Sequence, residues 1–525
     1  MVTPENAARV PSPKPGDRES AAEGSRAVED ARHGRLATNL VANVAAFTLN
    51  IAVGVFFTPY LIRHLGIAAY GVIPLATTLS SFLTVGTLVV NAAVARFITV
   101  AMGRGDVQAA GRYFTTSLVS GLGVVGVLIV PGILVSLYPE AFLRLPPGYE
   151  GQTRWLLACT VGVVLVSVMS SPLGVATFCR NRFDIRNAIA SLATLARVGL
   201  VVVAFSLVPP RISHVGAASL LAGIGSLVAS AWVWRRLTPE LEFRWQLFDF
   251  SALKELIQTG WWVAINQLGT LLLVSIDLLV VNRQFGPETT GQYASLLQWP
   301  ILLRTLALTL AGVLGPTVIG LYARHDVEGL VSYTRASVRV LGLAMALPIA
   351  LISGLAAPIL HVWLGPGFAV HAGLLMLMTL PLCVNLGYVP LHHVSTATND
   401  VRLPGVVQVV AGLANLGLAL WLGRLWGPHG VAAAGIIVLS LRNVLFTPLY
   451  AALIVGRGPG TFMKEAHQIL IATAIVTALS YLASRVIDLA TWLRILGFSA
   501  VVGCAYAIVV WRYVLSPQDK TLFRR

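Results

Sequence analysis

Four charged side chains stand inside long apolar runs of this 525-residue chain: Arg197, Asp277, Arg304 and Arg442. A charge at the centre of a bilayer costs about 2.5–3.5 kcal/mol on insertion scales, so such groups are functional candidates by default. Three arginines against one carboxylate leave a cationic excess. Arginine stays charged at any working pH and grips oxyanions through two parallel N–H bonds. The bland alternative for each arginine is a helix carbonyl partner or plain helix packing. Asp277 has two readings, the structural counter-ion of an arginine or a protonatable coupling group. Polar stripes accompany these charges. At 100° per residue, Asn39, Asn43 and Asn50 fall within about 40° of one another on one helix face. Asn266 and Asp277, eleven apart, share a face of another helix. Both stripes are expected to turn from lipid towards a cavity or a neighbouring helix.

Other apparent motifs carry no chemistry. Gly121, Gly123 and Gly126 match a dinucleotide-loop spacing, but lie inside an apolar run with no preceding strand, which is a helix-packing signature. His392 and His393 have no partner at metal-ligand spacing and read as a surface pair. Cys159, Cys179, Cys383 and Cys504 sit in or beside apolar segments and read as small buried hydrophobes. There is no ATP-binding GxxxxGK[ST] sequence. Neither an enzyme's catalytic set nor a cofactor or metal is expected.

The elements that position these groups follow from composition. The chain is 56% hydrophobic and 11% charged, with mean hydropathy +0.78. Soluble domains carry about 25% charged residues, so a soluble globular enzyme, a disordered chain and a fibre are all excluded. Apolar stretches of bilayer-crossing length recur about every 35 residues, fourteen in all, from 36–62 to 491–513. The expectation is an all-α integral membrane protein. The net charge is +15, which in a soluble chain would suggest nucleic acid. Here it fits the excess of Lys and Arg on cytoplasmic loops, and no nucleic-acid partner is expected. With the N-terminus inside, cytoplasmic segments hold about 20 Lys and Arg and the outer loops about 8. The expected location is the inner (plasma) membrane, multi-pass, with both termini cytoplasmic. Residues 1–35 read as a disordered cytoplasmic tail.

An internal repeat organises the spans. Shifting the first half by 220 residues puts Arg63 on Arg283, Gly66 on Gly286, Gly71 on Gly291, Asp106 on Asp326, Tyr113 on Tyr333 and Ser117 on Ser337. An even number of helices per repeat makes the repeats parallel. The expected domains are an N-lobe of six helices over 36–236 and a C-lobe of six over 257–453, pseudo-symmetric to each other. Two extra helices and the C-terminus fill 454–525. The linker 237–256, with Trp245, Leu247, Phe248 and Phe250, reads as an amphipathic stretch at the cytoplasmic surface.

The first hairpin reads Pro59-Tyr60-Leu61-Ile62-Arg63-His64-Leu65-Gly66 and continues to Tyr70-Gly71. It is followed by Asn91 to Arg96-Phe97. With the second hairpin, Phe285-Gly286 to Gly291-Gln292-Tyr293-Ala294, this resembles the polysaccharide-biosynthesis flippases. These belong to the multidrug/oligosaccharidyl-lipid/polysaccharide exporter superfamily. Gly66, Tyr70, Gly71, Asn91 and Arg96 carry the motif. The resemblance implies alternating-access flipping of a polyprenyl-diphosphate-linked oligosaccharide from the inner to the outer leaflet. Glycosyltransferases and a polymerase of the same pathway are its implied partners. Arg197, Arg304 and Arg442 would then line a cavity for the diphosphate. The alternatives are a multidrug or cation antiporter, a peptidoglycan-precursor flippase and, from another class, a membrane glycan polymerase. A cationic interior argues against the antiporter. The absence of a large outer loop argues against the polymerase.

Overall fold

The computed structural model describes residues 15–400, 402–516 and 519. Among them there is no strand. Among the described residues, twelve helices are long and apolar enough to cross a membrane, and two of these are double. Phe250–Ala323 turns back at Gly286 (φ 84°, ψ −176°), where Asn282 donates to Thr290 Oγ1 at 3.2 Å across the turn. Arg402–Ile454 turns back at Gly427 (φ 61°), where the position of a Cβ on Gly430 falls 2.0 Å from the Leu422 carbonyl. Twelve helices plus two such turns make fourteen crossings. In a bilayer this is the economical solution, because a helix satisfies its own backbone.

The crossings, numbered in chain order, are span 1 (Val41–Leu65, the last part of the helix Pro15–Leu65), span 2 (Ile67–Gly103), span 3 (Val107–Leu137), span 4 (Glu150–Cys179), span 5 (Phe183–Leu207) and span 6 (Ile212–Leu237). Spans 7 and 8 are 250–285 and 287–323, and span 9 starts with Val327–Gly354. Span 10 starts with Pro366–Gly387, spans 11 and 12 are 402–425 and 428–454, and Ala466–Val486 and Trp492–Val514 are spans 13 and 14. Two expectations are corrected. Of the tail expected to be disordered, residues 1–14 lie outside the described residues, and from Pro15 the backbone is already helical and continuous with span 1. The Ala, Glu and Arg of that stretch are strong helix formers. Span 7 begins at Phe250, seven residues before the expected 257, because the Asp249 carboxylate caps it by accepting from Ser251 N at 2.7 Å. Trp245, in a 3₁₀ turn ahead of it, is 65% exposed and Phe250 is 77% exposed.

Backbone detail recurs at the same 220-residue offset in the two pseudo-symmetric lobes. Gly66 (φ 82°, ψ 161°) turns span 1 into span 2 as Gly286 turns span 7 into span 8. Gly105 and His325 are both left-handed, with φ of 74° and 57°. Asp106 Oδ1 accepts from Ala109 N and Asp326 Oδ1 from Gly329 N, each at 2.8 Å, capping spans 3 and 9. Losing such a cap costs about 1 kcal/mol. Asp106→Ala and Asp326→Ala are therefore expected to lower the melting temperature of the purified protein by the same small amount, about 1 °C for a chain of this length. Unequal shifts in paired melts would show that the two turns are not equivalent.

The lobes meet at both ends, at the Asp106–Asp326 end where a Cβ on Gly260 of span 7 would fall 2.0 Å from the Val89 carbonyl oxygen of span 2, and at the end carrying the Gly66 and Gly286 turns. Gly71 and Gly291, themselves 220 apart, lie face to face: a Cβ on Gly71 would fall 2.7 Å from Gly291 N, and one on Gly291 would fall 2.0 Å from the Ile67 carbonyl oxygen. Lipid tails are as apolar as leucine, so helices in a bilayer adhere by such close approach and by hydrogen bonds. The bonds are present. Asn282 of span 7 accepts from Arg144 N at 2.8 Å and donates to the Arg144 carbonyl at 3.0 Å. Trp363 Nε1 donates to the Val55 carbonyl of span 1 at 2.5 Å. An apolar cluster shared by both lobes, including Leu61, Tyr70, Leu278 and Tyr293, fills the space behind.

Candidate functional site

Span 7 is broken at Ser275 (φ −112°, ψ −18°). Just beyond the break, Asp277 is 8% exposed. Asn415 of span 11 donates to Asp277 Oδ1 at 2.9 Å and also lies 3.3 Å from the carbonyls of Leu272 and Leu273, on the last turn before the break. Gly435 of span 12 makes room: a Cβ there would fall 2.9 Å from Asp277 Oδ2. Arg304 of span 8 lines the same cavity, of about 380 Å³, with Tyr70 and Thr78 of span 2 and with Tyr293 and Gln298. Asp277 and Arg304 thus face one space walled by both lobes, but form no ion pair within 4 Å. The Arg304 Nε lies buried without an acceptor. An unpaired buried donor is costly, about 1–3 kcal/mol and more when charged.

The three arginines are not gathered in one place. Arg197 is midway along span 5 in the N-lobe and does not line the Asp277–Arg304 cavity. Arg442 lies in a widened turn of span 12, Leu441–Phe446, with its Nη1 donating to Asn443 Oδ1 at 2.7 Å. It does not line that cavity either. What the three share is a buried Nε with no hydrogen-bond partner. Arg112 and Arg339 share that feature, yet spend other nitrogens on Asp249 and Asp519.

Two of the three asparagines of the first helix, Asn39 and Asn43, bond to other helices. Asn39 donates to the Asn181 carbonyl at 3.2 Å and accepts from Asp184 N at 3.0 Å, so it holds the turn between spans 4 and 5. Asn43 accepts from Asn187 at 2.5 Å, and Asn50 donates to its own helix at Ala46. Asn266 is exposed and Asp277 buried, and the break at Ser275 lies between them, interrupting the regular 100° progression that the shared face assumed. The His392–His393 pair is not at the surface either. Both are half-buried, and His393 Nε2 sits 3.0 Å from the Ala311 carbonyl in the gap left by Gly315.

The motif residues divide by task. Gly66 makes the turn, Gly71 the inter-lobe contact, and Tyr70, 6% exposed, walls the cavity. Pro172 has no N–H for the Val168 carbonyl four residues before it, and Asn91 donates to that carbonyl at 3.3 Å. Arg96 is exposed. Asn415 and Gln298 escaped the sequence reading, although each is a lone polar residue in an apolar run, the criterion that singled out Asn266.

No protein-family model matches the chain. It is 32% identical over 488 residues to the Bacillus subtilis (strain 168) protein described as the uncharacterized membrane protein EpsK, a match spanning 92% of this chain and 96% of that one. Its fold is similar to that of the lipid II flippase MurJ in an inward closed conformation (TM-score 0.67, 15% identity, 90% of this chain and 98% of that one). It is also similar to an inward-facing multidrug resistance MATE family transporter of the MOP superfamily (TM-score 0.58, 16% identity, 82% and 96%).

Proposed function

Since this chain belongs to the polysaccharide-biosynthesis flippase family of the multidrug/oligosaccharidyl-lipid/polysaccharide exporter superfamily, we propose that it carries a polyprenyl-diphosphate-linked oligosaccharide from the inner to the outer leaflet. It is a multi-pass membrane protein with a transporter fold. The end bearing the Asp106 and Asp326 turns faces the cytoplasm in this proposal, and the Gly66–Gly286 end faces outward. The observation that carries the reading is Arg304: a guanidinium with no hydrogen bond or ion pair among the described residues, lining a cavity between two pseudo-symmetric lobes. A diphosphate supplies the acceptors that this donor lacks, and binds arginine bidentately. Asp277 is the counter-charge facing Arg304 across the cavity, where the diphosphate enters between them. Arg197 and Arg442 extend the cationic path for the headgroup. The lobes rock about the contact between them, the usual mode for parallel-repeat transporters. Nothing covalent happens to the cargo.

The test is the sidedness of lipid-linked glycans in cells depleted of this protein. Finished units are expected to accumulate on the cytoplasmic leaflet and to clear on re-expression. If instead a peptidoglycan precursor accumulates, the peptidoglycan-precursor reading replaces this one. If nothing accumulates while sensitivity to cationic drugs rises, the antiporter reading does.

A further inference from the structure

A second cavity, of about 460 Å³, lies wholly within the N-lobe, among spans 2, 4, 5 and 6. Its volume is within the roughly 300–1,000 Å³ of small-molecule sites. Its lining is unusual for a membrane interior. Ser167, Ser170, Ser171, Ser226, Ser230 and Thr177 bring six hydroxyls, joined by the Asn91 amide and by Arg186. No acidic side chain lines it.

The hydrogen bonds already made decide what such a lining wants. Ser167 donates to the Val164 carbonyl at 2.6 Å, Ser170 to Val166 at 3.1 Å and Thr177 to Gly174 at 2.7 Å. Each hydroxyl has one proton and two lone pairs, so these three have spent their donors and keep acceptor capacity. Asn91 has spent a donor on Val168, and its buried Oδ1 has no partner. The lining is therefore mixed: Ser167, Ser170 and Thr177 keep only acceptors, while Ser171, Ser226, Ser230 and Arg186 keep their donors. A diphosphate, which only accepts, leaves the acceptor half of such a lining unmet. A polyol, whose hydroxyls both donate and accept, matches both halves. Phe178, 41% exposed and lining the same cavity, offers an aromatic face for the C–H side of a pyranose.

We infer that this N-lobe cavity is a glycan subsite, which takes sugar residues of the headgroup while Arg304 takes the diphosphate. The inference rests on the flippase reading and adds a division of labour between the lobes. Span 2 joins the two sites: Tyr70 and Thr78 wall the Arg304 cavity, and Asn91 and Ala95 wall this one. Thr78 and Asn91 are thirteen residues apart, about 20 Å at 1.5 Å per residue. Reaching from one site to the other takes an oligosaccharide rather than a single sugar.

The test measures binding of three probes to the full-length protein in nanodiscs: farnesyl diphosphate alone, farnesyl diphosphate bearing one sugar, and farnesyl diphosphate bearing a tetrasaccharide of glucose or N-acetylglucosamine. The tetrasaccharide probe is expected to bind at least about tenfold tighter than farnesyl diphosphate, the yield of one to three net hydrogen bonds. The single-sugar probe gains little. Ser226→Leu/Ser230→Leu fills the cavity, and Ser226→Ala/Ser230→Ala removes two hydroxyls without adding bulk. Both pairs are expected to lose or reduce the tetrasaccharide gain while holding farnesyl diphosphate as before, which also reports that they are folded. A full gain surviving in the alanine pair, or no gain with either tetrasaccharide in the unmodified protein, overturns the subsite. Failure of the unmodified protein to hold any of the three probes overturns the flippase reading itself.

Discussion

Gly291→Leu is expected to abolish transport and to open the Gly66–Gly286 end of the bundle. The atoms in the way are main chain: the Ile67 carbonyl oxygen at 2.0 Å and its carbon at 2.8 Å from the position of a Cβ. No rotamer change of a neighbour relieves that overlap, so the two lobes must separate. Overpacking a fitted contact costs about 1–3 kcal/mol. That is enough to move a two-state equilibrium by roughly 5- to 150-fold. The measurement is crosslinking yield between Arg144→Cys and Asn282→Cys, after replacing Cys159, Cys179, Cys383 and Cys504. Those two positions are bonded backbone to side chain across the lobes in the closed arrangement. Gly312→Leu is the control. It is on the same span, with nothing within 4 Å of its Cβ position, and is expected to leave the yield unchanged. High yield in Gly291→Leu would mean that the glycine pair is not what lets this end close.

Arg304→Ala is expected to lower translocation of a short-chain prenyl-diphosphate glycan in proteoliposomes by about 10- to 100-fold, while the protein still reaches the membrane. The size follows from hydrogen bonds to a charged group, about 1.5–3 kcal/mol. Removing the arginine also leaves Asp277 facing the cavity without its cation. Arg304→Lys is expected to recover only part of the rate, because an ammonium cannot bind a phosphate through two parallel bonds. Arg197→Ala is expected to act in the same direction, and Arg442→Ala least, since Asn443 already takes one of its Nη groups. Translocation undiminished in Arg197→Ala/Arg304→Ala would rule out a cationic path for the diphosphate.

How much of this was legible in the chain depends on the range of the interaction involved. Fourteen crossings, two lobes and the 220-residue repeat are local properties. Each crossing needs only its own apolar length, and each turn its own glycine or aspartate, as at Gly66 with Gly286 and Asp106 with Asp326. The candidate charges were legible too, because a lone charge in an apolar run stands out whatever surrounds it. Their grouping was not. Extending 100° per residue holds only while a helix is unbroken, and the break at Ser275 lies between the exposed Asn266 and the buried Asp277, which packs against Asn415 and Gly435 of distant spans. The widened turn at Leu441–Phe446 likewise sets where Arg442 points. Whether Asn39 meets a cavity or a neighbouring helix stayed open in the sequence, because its partners, Asn181 and Asp184, come from the span 4–5 turn more than 140 residues away, where all three line one small cavity. The sequence by itself determined which residues cross the membrane and which of them are costly to place there. The tertiary structure alone decided that Arg304 and Asp277 line one cavity, that Gly71 meets Gly291 and that the serines of spans 4 and 6 enclose another. Those meetings depend on how helices distant in sequence pack, and no single helix's pattern encodes its neighbour.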